Sequence, residues 1–487
     1  MTESYVPPPG SIPTLDVPDL GPVRRVHMIG IGGAGMRNLA RLFLARGIEV
    51  SGSDLKDSAG LAELRAAGAA VVVGHAAEHV GAPDAVVSSS AIRPENPELL
   101  EASERGIPIW ARAQALAAAA AGRRAIAVAG THGKTTTTSM IAFALERAGA
   151  DPTYVVGGEP NETGSGARSG ASDLFVAEAD ESDGSFLLFR PEIGVVTNVE
   201  VDHVDFYTRG RSEIEEAFAA FCDRSRTVVV SADEPAAMRV ATASRADRVT
   251  YGAAAHADHR LEIVGVGPGG ARGRLHLADD VVDLVLRVDG AHNLANAAAA
   301  IVVARLVGVT PQVAADALAG FTGVHRRFEL RGAVRGAQFF DDYGHAPREL
   351  AVTLDVARRR GRGRVVAVFQ PHRYSRTQAL WRELGASLAG ADLVVVTDVY
   401  GAEQDPIPGV TGKLVVDGIG DARPDARVVY LPHRGDVVRF LDAEVREGDL
   451  VITMGCGDVW MLADAAIARI SGNGRVPEGS LEATGES

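Results

Sequence analysis

Six consecutive residues, Gly130-Thr131-His132-Gly133-Lys134-Thr135, carry the strongest chemical signal in the chain. They follow an apolar run, Ala125–Ala129, that predicts a strand, and they open a stretch that predicts a helix. Glycines let backbone N–H groups approach phosphate oxygens, and a helix N-terminus adds positive potential. Lys134 would then reach the β- and γ-phosphates of a nucleoside triphosphate, and the Thr135 hydroxyl, beside Thr136, would hold Mg²⁺. The usual GxxxxGK[ST] spacing wants glycine where Val128 stands, so the loop is a contracted GxxGKT. The chain has only three lysines, Lys56, Lys134 and Lys413. Keeping one where a compact ammonium is needed strengthens the reading.

Hard oxygen ligands for a phosphate-bound metal come from apolar runs that end in carboxylates. One is Leu174–Ala177 followed by Glu178, Asp180, Glu181 and Asp183; another is the predicted strand Gly194–Asn198 followed by Glu200, Asp202 and His203. Each alone reads equally well as a solvated acidic loop. Gly290-Ala291-His292-Asn293 opens an Ala-rich helix on which Asn293 and Asn296 share a face; their amides could meet a base or ribose, or simply cap the helix. Nearer the N-terminus, Gly30-x-Gly32-Gly33-x-Gly35 lies between a strand and a helix, and Asp54 ends the next strand. This is a dinucleotide fingerprint, yet a pyrophosphate on a helix N-terminus suits a nucleotide-sugar diphosphate as well. Ser88, Ser89 and Ser90 at a later strand end could add hydroxyls or form an ordinary polar turn. In the last third, Asp341-Asp342-Tyr343-Gly344-His345 and His372-Arg373-Tyr374-Ser375-Arg376 follow strands. Their arginines and histidines suit a carboxylate or a developing phosphate charge.

Elements that position these groups recur three times as strand, glycine turn and helix. The first is RRVHMIGIGGAGM, the second RRAIAVAGTHGKTTTTSM, and the third starts at AQFFDDYGHAP, with a helix from Pro347 and strands in RVVAVFQPH, DLVVVTDVY, RVVYL and DLVITMGCGD. Alternating strands and amphipathic helices predict an α/β chain of parallel sheets, with ligands at the strands' carboxyl ends. The expected domains are 1–111, 112–329 and 330–487: an N-terminal Rossmann-like domain, a central P-loop ATPase-type domain and a C-terminal Rossmann-like domain. Residues 1–20 and 472–487 are expected to be flexible.

Composition narrows the field. The 487 residues are 46 % hydrophobic and 23 % charged, which excludes a largely disordered chain. A net charge of −14 argues against broad nucleic-acid binding. The basic cluster Arg358, Arg359, Arg360, Arg362 and Arg364 reads as a last helical turn stopped by Gly361. Two cysteines fit a reducing compartment, no run of 18 apolar residues predicts a membrane span, and the Pro-rich start lacks a signal-peptide pattern. A cytoplasmic protein is expected.

Taken together, GIGGAGM, GTHGKTTTT, AEADESD, NVEVDHVDFY, GAHNLANAAAA, GVHRRFE, DDYGHAP and PHRYSRT, in this order, resemble the motifs of the Mur ligase family from Val26 to about residue 470. The resemblance implies ATP-dependent ligation of L-alanine to the carboxylate of UDP-N-acetylmuramate through an acyl phosphate, in peptidoglycan synthesis. It implies that Gly130–Thr136, Asn293, Asn296, Arg327 and Asp341 bind ATP, and that Gly30, Gly32, Gly33, Gly35, Asp54, Ser88 and Ser89 bind the UDP-sugar. Thr135, Glu178 and His203 would hold Mg²⁺ or Mn²⁺. Tyr343, His345, Arg373 and Arg376 would face the amino acid, with Lys134, His203, Arg373 and Arg376 catalytic. In siblings that add later residues, the family pattern places a carbamylated lysine some fifteen residues after the histidine matching His203; here Phe218 stands there, and no lysine lies between Lys134 and Lys413. No nucleic-acid partner is expected, and a monomer or weak homodimer is. Three alternatives remain at this stage: a peptide-recycling ligase of the same family, an NAD-dependent oxidoreductase, which leaves the Lys134 loop without purpose, and a non-enzymatic P-loop regulator, which leaves the carboxylates and His203 unexplained.

Overall fold

Short β-branched runs, each ending in glycine or polar residues, pair into three sheets in the computed structural model, which describes residues 16–89, 91–203, 206–360, 363–402 and 404–472. The N-terminal sheet runs, edge to edge, Ala70–Val73, Glu49–Asp54, Arg25–Ile29, Ala85–Ser88, Ile109–Ala111, with all neighbours parallel. Chain order reverses between Arg25–Ile29 and Ala85–Ser88. That reversal opens a crevice at their carboxyl ends, where Gly30 and Ser88-Ser89 follow. Ser90 lies outside the described residues.

Ten strands form the central sheet. Its parallel part places Arg124–Ala129 between Ile193–Val196 and Leu174–Glu178. Both acidic segments therefore flank the turn that follows Ala129. The second of these strands stops at Val196, earlier than expected, because Thr197 and Asn198 turn toward the neighbouring loop. An antiparallel meander, His259–Gly267, Gly270–His276 and Val281–Leu286, extends one edge. Helix Ala291–Leu306 packs on helix Lys134–Arg147. Its Ala297–Ala300 run is wholly buried, small side chains permitting close approach.

The C-terminal sheet runs Glu329–Val334, Ala337–Asp342, Leu450–Met454, Val365–Phe369, Leu393–Val396, Val428–Tyr430, parallel except for the first strand. The helix expected from Pro347 is Pro347–Arg360, with Arg358, Arg359 and Arg360 in its last turn. Gly361 and Arg362 lie outside the described residues. Arg364 departs from that cluster: it precedes a strand and grips Asp449 with two N–H groups at 2.8 and 3.1 Å and Glu444 at 2.8 Å.

The described residues up to Asp202, with Phe206–Val324, make one compact unit; those from His325 onward, with His203, make a second. Within the first, the two sheets are joined by one apolar core. Met28, Leu39 and Phe43 from one side share it with Ala127, Phe175 and Phe218 from the other. Both cysteines are free. Among the described residues no helix is long and apolar enough to cross a membrane.

Candidate active site

In the central domain the turn Gly130–Gly133 leads straight into helix Lys134–Arg147, which has neither a side-chain cap nor an acidic residue in its first turn. Its amino-end N–H groups are therefore available to an anion. Gly130 and Gly133 have φ of +140° and +79°. A Cβ on Gly130 would collide with Thr197 Oγ1, so only glycine permits the turn. The following segment holds the loop from one side: His132 N–H donates to Asn198 Oδ1 (2.8 Å), and Thr197 Oγ1 and Asn198 Nδ2 donate to the His132 carbonyl (2.7 and 2.9 Å). His132 Nε2 lies 3.1 Å from Glu200 Oε2.

Lys134 Nζ donates to both oxygens of Glu181 (2.8 and 2.7 Å) and to the Gly130 carbonyl (2.8 Å). Burial works against the ammonium, but Glu181, Asp180 and Glu178 outweigh it and hold its pKa above the ordinary lysine value. Thr135 Oγ1 donates to Glu178 Oε1 (3.1 Å), whose other oxygen accepts the Gly157 N–H (2.9 Å). Two of the three expected metal ligands thus meet, 43 residues apart in sequence. A hydroxyl and a carboxylate side by side at an uncapped helix terminus fit a hard divalent cation. Among the described residues no three His, Cys, Asp or Glu side chains form a ready cation cage, so such a cation would need phosphate or water oxygens as well. His203 sits on a left-handed backbone (φ +50°).

Asn296 comes up against this turn: Thr137 Oγ1 donates to its Oδ1 (3.1 Å), and its Nδ2 reaches Asn293 Oδ1 (3.4 Å). The helix cap is Gly290, and Asn293 Nδ2 instead donates back to the Asp289 carbonyl (2.7 Å). Glu181, Thr197 and Asn198 as clamps of the loop were not foreseen. The only sequence signal for Glu181 is its place in an acidic segment read as a metal site, and Thr197 and Asn198 fall at the end of the predicted strand Gly194–Asn198.

The N-terminal fingerprint is built otherwise. Gly30 N–H and Ile31 N–H both donate to the Ser53 carbonyl (2.9 and 3.0 Å), and Gly32 N–H donates to Asp54 Oδ2 (2.8 Å). Helix Ala34–Ala45 starts from Gly33 with no side-chain cap, and Arg112 lies against Gly35. Ser89 N–H donates to the Ile29 carbonyl, and Ser88 Oγ to the Ser89 carbonyl (both 3.2 Å). Asp54 therefore braces the glycine turn itself.

In the C-terminal unit the two foreseen loops come together. Arg326 and Arg327 lie over the Tyr343 ring at 5.0 and 5.1 Å. Arg326 also donates to buried Asp341 (3.0 Å) and to the Gly455 carbonyl (2.7 Å), and Thr453 Oγ1 donates to Asp341 (2.6 Å). Burial raises the Asp341 pKa and pushes that of Asp342 up to about 6, against the pull of Arg327. The His345 ring is 6.0 Å from that of His372, which stacks on Tyr400 at 5.7 Å and lies 3.4 Å from Arg376 Nη1. Arg373, at φ +66°, caps helix Tyr374–Leu388, whose first turn has no acidic residue. Arg326 had not been singled out, although it stands beside Arg327 in the same motif.

Comparison with known proteins agrees with this layout. Residues 25–124 match the Mur ligase family catalytic domain, 128–304 the Mur ligase middle domain, and 326–457 the Mur ligase glutamate ligase domain. The UDP-N-acetylmuramate–L-alanine ligase of Thermobifida fusca is 49 % identical over 459 residues, covering 91 % of this chain and 96 % of its own. That of Cutibacterium acnes is 45 % identical, covering 94 % and 98 %. The crystal structure of the UDP-N-acetylmuramate–alanine ligase of Thermotoga maritima superposes with a TM-score of 0.79 at 27 % identity, covering 92 % of this chain and all of that one. With three consecutive domain matches and near-half identity along almost its whole length, the chain belongs to the Mur ligase family.

Proposed function

We propose that this chain joins L-alanine to the carboxylate of UDP-N-acetylmuramate, converting ATP to ADP and phosphate, as the names of its relatives indicate for them. The observation that carries the reading is the pairing of Thr135 with Glu178 beside Lys134 at an uncapped helix terminus. A carboxylate is a poor acyl donor. Its oxygen takes the γ-phosphoryl group, ADP leaves, and the amine nitrogen then attacks the acyl carbon and expels phosphate.

In this reading Gly130–Thr136 bind the phosphates through backbone N–H groups, and the Lys134 ammonium offsets charge on the transferring group. Glu181 keeps that ammonium aimed at the loop. Thr135 and Glu178, with His203 for a second ion, hold Mg²⁺, which supplies charge neutralisation on the phosphates. Asn293, Asn296, Arg327 and Asp341 serve the nucleotide. Gly30, Gly32, Gly33 and Gly35, with Asp54, Ser88 and Ser89, serve the UDP-sugar diphosphate. Tyr343, His345, Arg373 and Arg376 serve the amino acid and the developing phosphate charge. The same proposal divides the chain at 1–111, 112–329 and 330–487 and sets it in the cytoplasm.

ADP release by purified protein tests it, with UDP-N-acetylmuramate and, in turn, L-alanine, glycine, L-serine and a tripeptide. L-Alanine is expected to give the highest kcat/KM. A preference for the tripeptide would assign the chain to peptide recycling, and no ADP release with any amine would refute ligation.

A further inference from the structure

A second polar cluster lies beneath the N-terminal glycine turn, and the proposed reaction uses none of it. At its centre is Glu98, with no exposed surface. Its Oε2 accepts Ser53 Oγ–H (2.6 Å) and His27 Nε2–H (3.1 Å); its Oε1 accepts the Ala76 N–H (3.2 Å) and His79 Nδ1–H (3.2 Å). His75 Nδ1 reaches Ser53 Oγ at 2.9 Å, and His27 Nδ1 reaches Ser51 Oγ at 2.9 Å. Glutamate is almost never fully buried unless paired. Here it sits in the first turn of helix Pro97–Glu104, capped by Asn96, where the helix dipole favours the negative charge.

The cluster reaches the turn through one residue. Ser53 is wholly buried, its hydroxyl fixed by Glu98 and His75, while its carbonyl oxygen takes the N–H groups of both Gly30 and Ile31. The next residue, Asp54, takes the Gly32 N–H. A slip of Ser53 along its strand would therefore shift three consecutive N–H groups of the turn. We propose that Glu98 is a positioning residue for the Gly30–Gly35 turn, holding through Ser53 the backbone oxygen on which that turn hangs. The inference rests on the reading that this turn takes the diphosphate of the UDP-sugar.

Glu98→Gln tests it, because an amide cannot accept from four donors at once. Steady-state kinetics of the full chain should show KM for UDP-N-acetylmuramate raised about tenfold, with kcat and KM for ATP within about twofold. Ser53→Ala, which keeps the carbonyl but frees it from the carboxylate, should raise the same KM about threefold and serves if Glu98→Gln does not fold. A donor KM unmoved in Glu98→Gln, or in Ser53→Ala where it stands in, overturns the proposal. So does a parallel loss of kcat and ATP affinity, the mark of general destabilisation. Gly32→Ala separates the two layers, since its Cβ would stand 2.7 Å from Asp54 Oδ2. If Gly32→Ala leaves the donor KM unchanged, the turn is not the diphosphate site and the proposal falls with that reading. If Gly32→Ala raises it and Glu98→Gln does not, the positioning role alone fails.

Discussion

Two glycine-rich turns in the same compact unit each leave the carboxyl end of a central parallel strand and enter a helix without a side-chain cap. They are braced in different ways. The turn at Gly30 is held by its backbone: Ser53 and Asp54 take three of its N–H groups, and behind them stands the buried Glu98. The turn at Gly130 is held by side chains of the adjoining strand ends, and it carries the ammonium and hydroxyl that the first turn lacks. The same local device thus serves two ends. In the proposed reading the first turn leaves only the N–H groups of its uncapped helix terminus for an anion, whereas the second adds Lys134, Thr135 and Glu178 and can also stabilise charge that moves.

The largest expected effect separates these roles most sharply. Lys134→Ala should lower the rate of ADP release by at least about 10²–10³-fold. It should also lower the melting temperature, since Glu181 would stay buried without its ammonium, a loss of about 3–5 kcal/mol for one partner of a buried pair. Adding Glu181→Gln should recover stability but not turnover; a double variant that ligates at more than about a tenth of the wild-type rate breaks the assignment of Lys134. Next comes Thr135→Val, which removes the hydroxyl facing Glu178 and should cost on the order of 10–100-fold in activity, partly regained at high Mg²⁺. The same substitution should leave the donor KM unmoved, and a donor effect as large as the metal effect would blur the two turns into one site.

Asp54→Ala sharpens the contrast from the other side. It frees the Gly32 N–H, and the donor KM should rise several-fold, about the effect of losing one hydrogen bond worth ~1 kcal/mol, with ATP affinity unaltered. Acid unfolding probes the same corner. Burial pushes the Glu98 pKa up, but the hydrogen bonds from His27 and Ser53 prevail and take it down to about 2. A carboxylate whose folded pKa is depressed adds stability above its unfolded pKa, and that stability fades as pH falls toward the folded value. Stability should therefore drop as pH falls from about 4.5 toward 2, and Glu98→Gln should flatten that part of the curve. Asp342, raised by burial to about 6, works in the opposite sense, with stability lost as pH rises from the ordinary aspartate value toward 6.

The smallest expected effect is none. Phe218, where later-step siblings place a carbamylated lysine, is wholly buried and packs edge-on against Phe186 at 5.1 Å. Activity in CO₂-depleted buffer should not rise on adding bicarbonate at fixed pH. A bicarbonate-dependent increase would mean that the second turn's metal ligands are incomplete as proposed.

Much of this was legible because it is local. Strand, glycine turn and helix occur within about a dozen residues around Gly30 and Gly130, and the spacing alone specifies backbone N–H groups at a helix terminus. The acidic segments after Ala177 and Val196 were visible for the same reason. Their division of labour was not. Glu178 meets Thr135 as expected, whereas Glu181 clamps Lys134, and Asn198 and Glu200 buttress the loop. An acidic run gives no sign of which carboxylate will face which neighbour. Arg364 was misread for a similar reason, since a row of arginines at a helix end looks uniform until Asp449 arrives from the turn before a strand, 85 residues later.

What the sequence determined by itself is the set of short-range devices: the strand–glycine turn–helix units of an α/β chain, the two glycine turns proposed to take phosphates, and the order of the family's motifs. What only the tertiary structure decided is which distant groups close on them. Lys134 and Glu181 are 47 residues apart, Thr137 and Asn296 159, and Ser53 and Glu98 45. Those partners meet because strand order places their elements side by side, and parallel sheets join strands through long crossovers that no short-range pattern encodes. Whether a buried charge is tolerated depends on that closure, as at Glu98, where four hydrogen bonds from three separate segments hold one carboxylate ionised.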